Sequence, residues 1–212
     1  MKRFLAILLA CLVMCAACAM GASAATKKAF DPDAIQQCRF VNDSTGITGN
    51  GHNGVLLVDK DGYGRLYNMQ REGLSKRSFT PAQLKQFMID GLPFAASQFQ
   101  FDRMIIFDIT PEEGRRMYDH AEETEFREFY RYASFFTHLI PTGDNCLTVA
   151  RSILVAGNKK YDFIYPFGLP NSTFYTVPLS LRFSSVPYTI HYTEAPITWI
   201  YHPDNPDRPV AD

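Results

Sequence analysis

Two short stretches hold the residues that could do chemistry together. The first is Gly51-His52-Asn53-Gly54, running into the apolar Val55-Leu56-Leu57-Val58. The second is Asp144-Asn145-Cys146-Leu147-Thr148, followed by Val149, Ala150, Ile153 and Leu154 at helical spacing. The first puts an imidazole at the start of a strand, and the second puts a thiol in the first turn of a helix. Helix N-terminal amides lack intrahelical acceptors and carry partial positive charge, so a sulfur there is favoured as thiolate. A strand-borne imidazole beside it would be the base that a thiol nucleophile needs. Asp144 is the expected cap, which sets Cys146 at about the second helical position, with its own N–H as an oxyanion donor. The plain alternative for Cys146 is a buried structural thiol, and for His52 a packed or surface histidine.

A base of this kind works best when a third polar group orients it. The strand beside His52 is the source. Residues 55–58 and 65–68 flank Asp59-Lys60-Asp61-Gly62-Tyr63-Gly64, which reads as a β-hairpin closed by an Asp/Gly turn. A calcium-loop reading of those aspartates fails, because Tyr63 stands at position five and Gln70 at position twelve. On the returning strand Asn68 and Gln70 share one face. Asn68 is the chosen orienting residue. His120, His138, His191 and His202 have no comparable setting, and no His pair has the i, i+4 spacing with a Glu used by zinc hydrolases. No metal and no cofactor is expected.

Stepping outward, Thr80-Pro81-Ala82-Gln83 and Thr110-Pro111-Glu112-Glu113 are helix starts with a capping Thr, Pro at the first helical position and Gln or Glu three residues on. Gly91 ends the first helix, and the second runs to about Glu123. Residues 102–109 form a strand. Residues 126–140 are aromatic and fit strand or helix, Pro141-Thr142-Gly143 is a turn, and Gly157 stops the Cys146 helix. From 172 to 201, β-rich runs punctuated by Pro178, Pro187 and Pro196 suggest two or three strands or a clasping tail.

Lys2, Arg3, the apolar run 4–13 and Ala22-Ser23-Ala24 make residues 1–24 a secretory signal peptide, leaving 25–212 as one domain. Export follows, to the periplasm, envelope or medium. Leu8-Leu9-Ala10-Cys11 resembles a lipobox, so a lipid anchor is the second reading of this end. No later segment looks membrane-spanning. With 21 Lys and Arg against 22 Asp and Glu, no basic surplus points to nucleic acid. Of five cysteines, Cys38 and Cys146 survive cleavage, and the sequence leaves their pairing in a disulfide open.

The order His52 strand, hairpin, inserted helices, then Asn145-Cys146 at a helix start resembles the circularly permuted branch of the papain-like, NlpC-type hydrolases. That branch includes relatives of lecithin:retinol acyltransferase. Phe107-Asp108-Ile109-Thr110-Pro111-Glu112-Glu113, Tyr130, Leu154-Val155-Ala156-Gly157 and Leu169-Pro170-Asn171-Ser172 fit the same layout, so that the resemblance spans residues 51–177. It implies Cys146 as nucleophile and His52 as base, and leaves the third residue unassigned. The expected fold is α+β: an antiparallel sheet with the Cys146 helix packed on it, sulfur meeting imidazole at the sheet edge. The expected function is a thiol amidase or peptidase working through a thioester. Its leading substrate is a cell-wall peptide, and an acyl ester is the alternative. The rival is a non-catalytic envelope lipoprotein or binding module. It would use Phe174, Tyr175, Tyr188, Tyr192, Trp199 and Tyr201 as a contact surface, though core packing is the plainer role for most of these.

Overall fold

A computed structural model describes residues 29–44, 51–70, 73–93, 100–126, 144–164, 169–193, 197–201, 203–204 and 209–211. Residues 1–24, read above as a signal peptide, lie outside the described residues, as do Tyr130, His138, the expected 141–143 turn, His202 and nearly all of the 126–140 stretch.

The strands are β1 (Ile35–Asp43), β2 (His52–Asp59), β3 (Gly64–Gln70), β4 (Gly73–Phe79), β5 (Leu92–Pro93), β6 (Gln100–Phe101), β7 (Arg103–Asp108), β8 (Tyr188–Tyr192), β9 (Ile197–Tyr201) and β10 (Pro209–Ala211). The helices are α1 (Pro81–Asp90), α2 (Pro111–Glu123), α3 (Cys146–Gly157) and α4 (Pro170–Phe183). Eight strands form one sheet in the order β10-β9-β8-β7-β1-β2-β3-β4, and β5 pairs with β6. Among the described residues the strand pairings are antiparallel. The class is therefore α+β with an antiparallel sheet, as expected.

Burial on both sides of the sheet follows from the strand period of two. Val55 and Leu57 of β2 join Cys38, Phe40, Tyr67, Ile105 and Phe107 under the inward residues of α2, α3 and α4. Leu56 and Val58 join Val41, Leu66 and Met104 under Leu84 and Phe87 of α1. β2 is thus buried along its whole length. At ~25 cal/mol per Å² of apolar area, a strand covered on both faces is a costly one to disturb. Cys38, inside the larger core, has its thiol pKa pushed far up by burial. Both Cys38 and Cys146 are free thiols, so the question of a disulfide between them is answered in the negative.

The two Thr-Pro starts form as expected, each with a reciprocal capping box. The hairpin turn is closed by Asp59, whose Oδ1 accepts from the N–H groups of Asp61 and Tyr63, both at 2.9 Å. Three expectations need correction. The first is the sheet edge expected for the imidazole, because β2, which begins at His52, lies inside the sheet between β1 and β3. The region beginning at Ser172 opens as helix and not strand: Pro170–Phe183 runs through Pro178, and the strands up to Tyr201 are β8 and β9, with β10 beyond them. Phe174 is buried in the core beneath it, whereas Tyr175 is exposed. The third concerns the cap of α3 and is taken up with the site.

α2 is fastened to the segment after α3 by Glu113. Its carboxylate accepts from Tyr161 Oη (2.6 Å), Asn158 Nδ2 (2.8 Å) and the Thr110 N–H (3.1 Å), and pairs with Lys160 Nζ (2.8 Å). Burial alone would raise the Glu113 pKa. Lys160 and the bonds from Tyr161, Thr110 and Asn158 outweigh it and hold the pKa down at about 2. A depressed carboxylate contributes stability above its ordinary pKa and loses it as pH falls toward the folded value. Thermal melts should therefore show Glu113→Gln about 2 kcal/mol less stable than wild type at pH 7. The gap should narrow between pH 4.5 and pH 2; a gap independent of pH would contradict this assignment.

Candidate active site

α3 starts where it does because Asn145 stops the chain in an extended conformation and caps it. Its Oδ1 accepts from the N–H groups of Leu147 (2.9 Å) and Thr148 (3.0 Å), while Thr148 Oγ1 accepts from the Asn145 N–H (2.9 Å). The cap is thus Asn145 and not Asp144, and Cys146 is the first helical residue instead of about the second. The reason is local: an Asn one position later offers the same capping oxygen with a reciprocating Thr three residues on. Asn145 engages the second and third amides of the helix, leaving the Cys146 N–H outside the cap.

His52 opens β2, directly after Gly51, whose φ of 82° lies in the left-handed region. A Cβ on Gly51 would stand 2.2 Å from Asn171 Oδ1, and one on Gly54 would stand 3.0 Å from the Tyr67 carbonyl oxygen. The two glycines therefore do admit close neighbours, and those neighbours are α4 and β3. The β2–β3 ladder runs from Val55↔Tyr67 to Val58↔Gly64, so His52 lies beyond its end. β2 is an interior strand, flanked by β1 and β3. The imidazole is accordingly at the end of a central strand and not at the sheet edge, as had been expected.

The three residues singled out in the sequence come together. His52 Nε2 is hydrogen-bonded to Asn68 Oδ1, and the His52 imidazole and the Cys146 side chain interact electrostatically. The Nε2–H donates to the Asn68 carbonyl oxygen, so the neutral ring carries its lone pair on Nδ1. Phe101 stacks on the ring, centroids 6.0 Å apart and planes 20° apart. All three residues are buried: His52 is 4 %, Cys146 2 % and Asn68 1 % exposed. Gln70, on the same face as Asn68, ends β3 opposite Gly73. Burial pulls the His52 pKa down, but the Cys146 charge and hydrogen bond, the Asn68 bond and the Asp43 charge outweigh it, and the net direction is up. The charged imidazolium is therefore the favoured partner of a negative sulfur.

A second, polar layer that sequence reasoning missed supports His52 from behind. Asn42 Nδ2 donates to the His52 carbonyl oxygen (3.1 Å) and to Asn53 Oδ1 (2.5 Å). Asn42 Oδ1 in turn accepts from Arg103 Nε (2.5 Å). The same guanidinium donates to Asn171 Oδ1 (2.6 Å) and to Tyr175 Oη (3.1 Å), and lies 4.5 Å over the Phe174 ring. Asn171 Nδ2 donates to the Ser44 carbonyl oxygen (2.9 Å). One buried arginine thus ties β1, β7 and α4 to the backbone of His52. A sequence signal existed only in Asn53, beside His52, and in the Pro170-Asn171 pair; nothing marked Arg103.

The other described histidines have different partners: His120 Nδ1 bonds Thr124 Oγ1, and His191 Nε2 bonds the Met88 carbonyl. Among the described residues no group of three or more His, Cys, Asp or Glu is placed to hold a metal ion, and no helix is long and apolar enough to cross a membrane. Comparison with protein-family models gives no match, and comparisons with the curated proteins and with solved structures give none either.

Proposed function

We propose that this chain is an exported thiol hydrolase of permuted papain-like architecture, acting on an amide or acyl ester through a thioester on Cys146. One observation carries the reading: the His52 imidazole is hydrogen-bonded to Asn68 Oδ1 and interacts electrostatically with the Cys146 side chain. Asn68 fixes the tautomer and plane of the ring. In the forward step the Cys146 thiolate attacks the substrate carbonyl carbon, forming a C–S bond. The Cys146 N–H, at the positive end of α3, donates to the oxyanion. The imidazolium returns its proton to the leaving amine or alkoxide as the C–N or C–O bond breaks. Water, its proton taken by His52, then attacks the thioester and releases the acid and the thiol. The signal-like residues 1–24 direct the protein to the envelope, where a cell-wall peptide is the leading substrate class and a lipid acyl ester the alternative.

The burial of the sulfur favours one second reading, a non-catalytic envelope module in which Cys146, His52 and Asn68 form a polar plug. Intact-protein mass spectrometry after mixing with p-nitrophenyl acetate decides between them. The hydrolase reading expects a burst of p-nitrophenol and a hydroxylamine-sensitive acetyl adduct that is absent in Cys146→Ala. No adduct, or an adduct that persists in Cys146→Ala, overturns it.

A further inference from the structure

Asn68, on β3, orients His52 from the strand that follows it. The structure brings a second group from before it. Asp43, the last residue of β1, is paired directly with His52 in the antiparallel β1–β2 ladder. Directly opposed residues project their side chains to the same face of the sheet with Cβ atoms about 5 Å apart. Asp43 is wholly buried, and His52 nearly so. A carboxylate placed there cannot be screened by solvent, and an anion beside an imidazole favours its protonated form.

We propose that Asp43 is a positioning residue of this site: its carboxylate, set across the ladder from His52, is the counter-charge that keeps the imidazole cationic against the Cys146 sulfur. The inference rests on the hydrolase reading of the Cys146–His52 pair and deepens it. The division of labour is between neighbours of different character. Asn68, from β3, is neutral and holds Nε2; Phe101, from β6, is apolar and covers the ring; Cys146, from α3, is the reacting group; Asp43, from β1, supplies fixed charge. α4 and β7 contribute Asn171, Tyr175 and Arg103, whose links reach His52 through Asn42 and its backbone carbonyl. Of the titratable groups around the imidazole, Cys146 and Asp43 are the two whose charge raises its proton affinity.

The test is the titration of His52 read by two-dimensional NMR on the full mature protein labelled with ¹⁵N-histidine, the His52 signals assigned by their loss in His52→Ala. Asp43→Asn is nearly isosteric and removes the charge. The proposal expects the His52 midpoint to fall by about one pH unit or more in Asp43→Asn and to stay within a few tenths of wild type in Asp43→Glu. A midpoint that does not move with the charge at position 43 overturns it. If Asp43→Asn does not fold, Asp43→Ser against Asp43→Glu makes the same comparison, and a merely structural role would lower stability in both without separating their midpoints. Alkylation of Cys146 in the wild type separates this failure from failure of the underlying reading. A sulfur that responds to His52→Ala but not to Asp43→Asn leaves the hydrolase standing and removes Asp43 alone. A sulfur indifferent to both removes the site.

Discussion

His52→Ala is expected to lower kcat/KM on an activated acyl ester by about 10³-fold, with general acid–base catalysis alone worth 10²–10⁴. The loss is large because, in the proposed mechanism, the ring does three things at once: it holds the counter-charge to the sulfur, it carries the leaving-group proton, and it activates the deacylating water. Asn68→Ala should cost less, since the ring remains and only its orientation loosens. Cys146→Ala should reach background, and the double variant His52→Ala/Cys146→Ala should be no worse than Cys146→Ala, because residues that act as one unit are not additive. Steady-state kinetics on the four proteins checks this; additive losses would mean that the two residues work separately. His52→Ala leaves the Asn68 amide without its ring partner at a cost of about 1–3 kcal/mol. Each variant therefore needs a thermal melt beside its kinetics.

The second large effect is expected at Arg103, which touches neither sulfur nor ring. Arg103→Ala removes donors from Asn42 Oδ1, Asn171 Oδ1 and Tyr175 Oη and the cation from above Phe174. Stranding the buried Asn42 oxygen and the half-buried Asn171 oxygen, with loss of the packing over Phe174, sets an expected destabilisation of about 2–3 kcal/mol in chemical denaturation. Arg103→Lys should recover little of it. A single ammonium cannot serve three acceptors laid out around a planar fork. If both variants lie within about 0.5 kcal/mol of wild type, the buried layer does not brace α4 against the sheet.

The contrast between these two predictions shows where the sequence was legible. His52, Asn68 and Cys146 were readable because each depended on a local rule: a strand flanked by small residues, the two-residue period of a hairpin, the first turn of a capped helix. The two Thr-Pro helix starts were readable for the same reason, since their caps close within three residues. β1 was not, because its last four residues are buried whether apolar or polar, and Asn42 and Asp43 broke the alternation that would have announced a strand. The burial of Asn42 is compensated by partners far along the chain, Arg103 among them, which no local pattern encodes. α4 failed differently. Pro170, Thr173, Phe174, Val177, Pro178 and Leu181 are buried at helical spacing, but Tyr175, Leu179 and Phe183 on the outward side are large, apolar and exposed. With both faces apolar and Pro178 in the middle, the 3.6-residue period was masked by strand-like composition. The shift of the cap from Asp144 to Asn145 was a one-residue matter, decided by Thr148 reciprocating the bond.

The coupling between Cys146 and His52 is the central claim, and its most direct test is the rate of alkylation by iodoacetamide across pH, in wild type and His52→Ala. Cys38 is wholly buried and its thiol pKa is pushed far up, so Cys38→Ser supplies the background correction. The account predicts a Cys146 sulfur that reacts well below the ordinary thiol pKa of ~8.5 and loses that low-pH reactivity in His52→Ala. A sulfur that is inert at every pH, or whose profile is the same with and without His52, would contradict it.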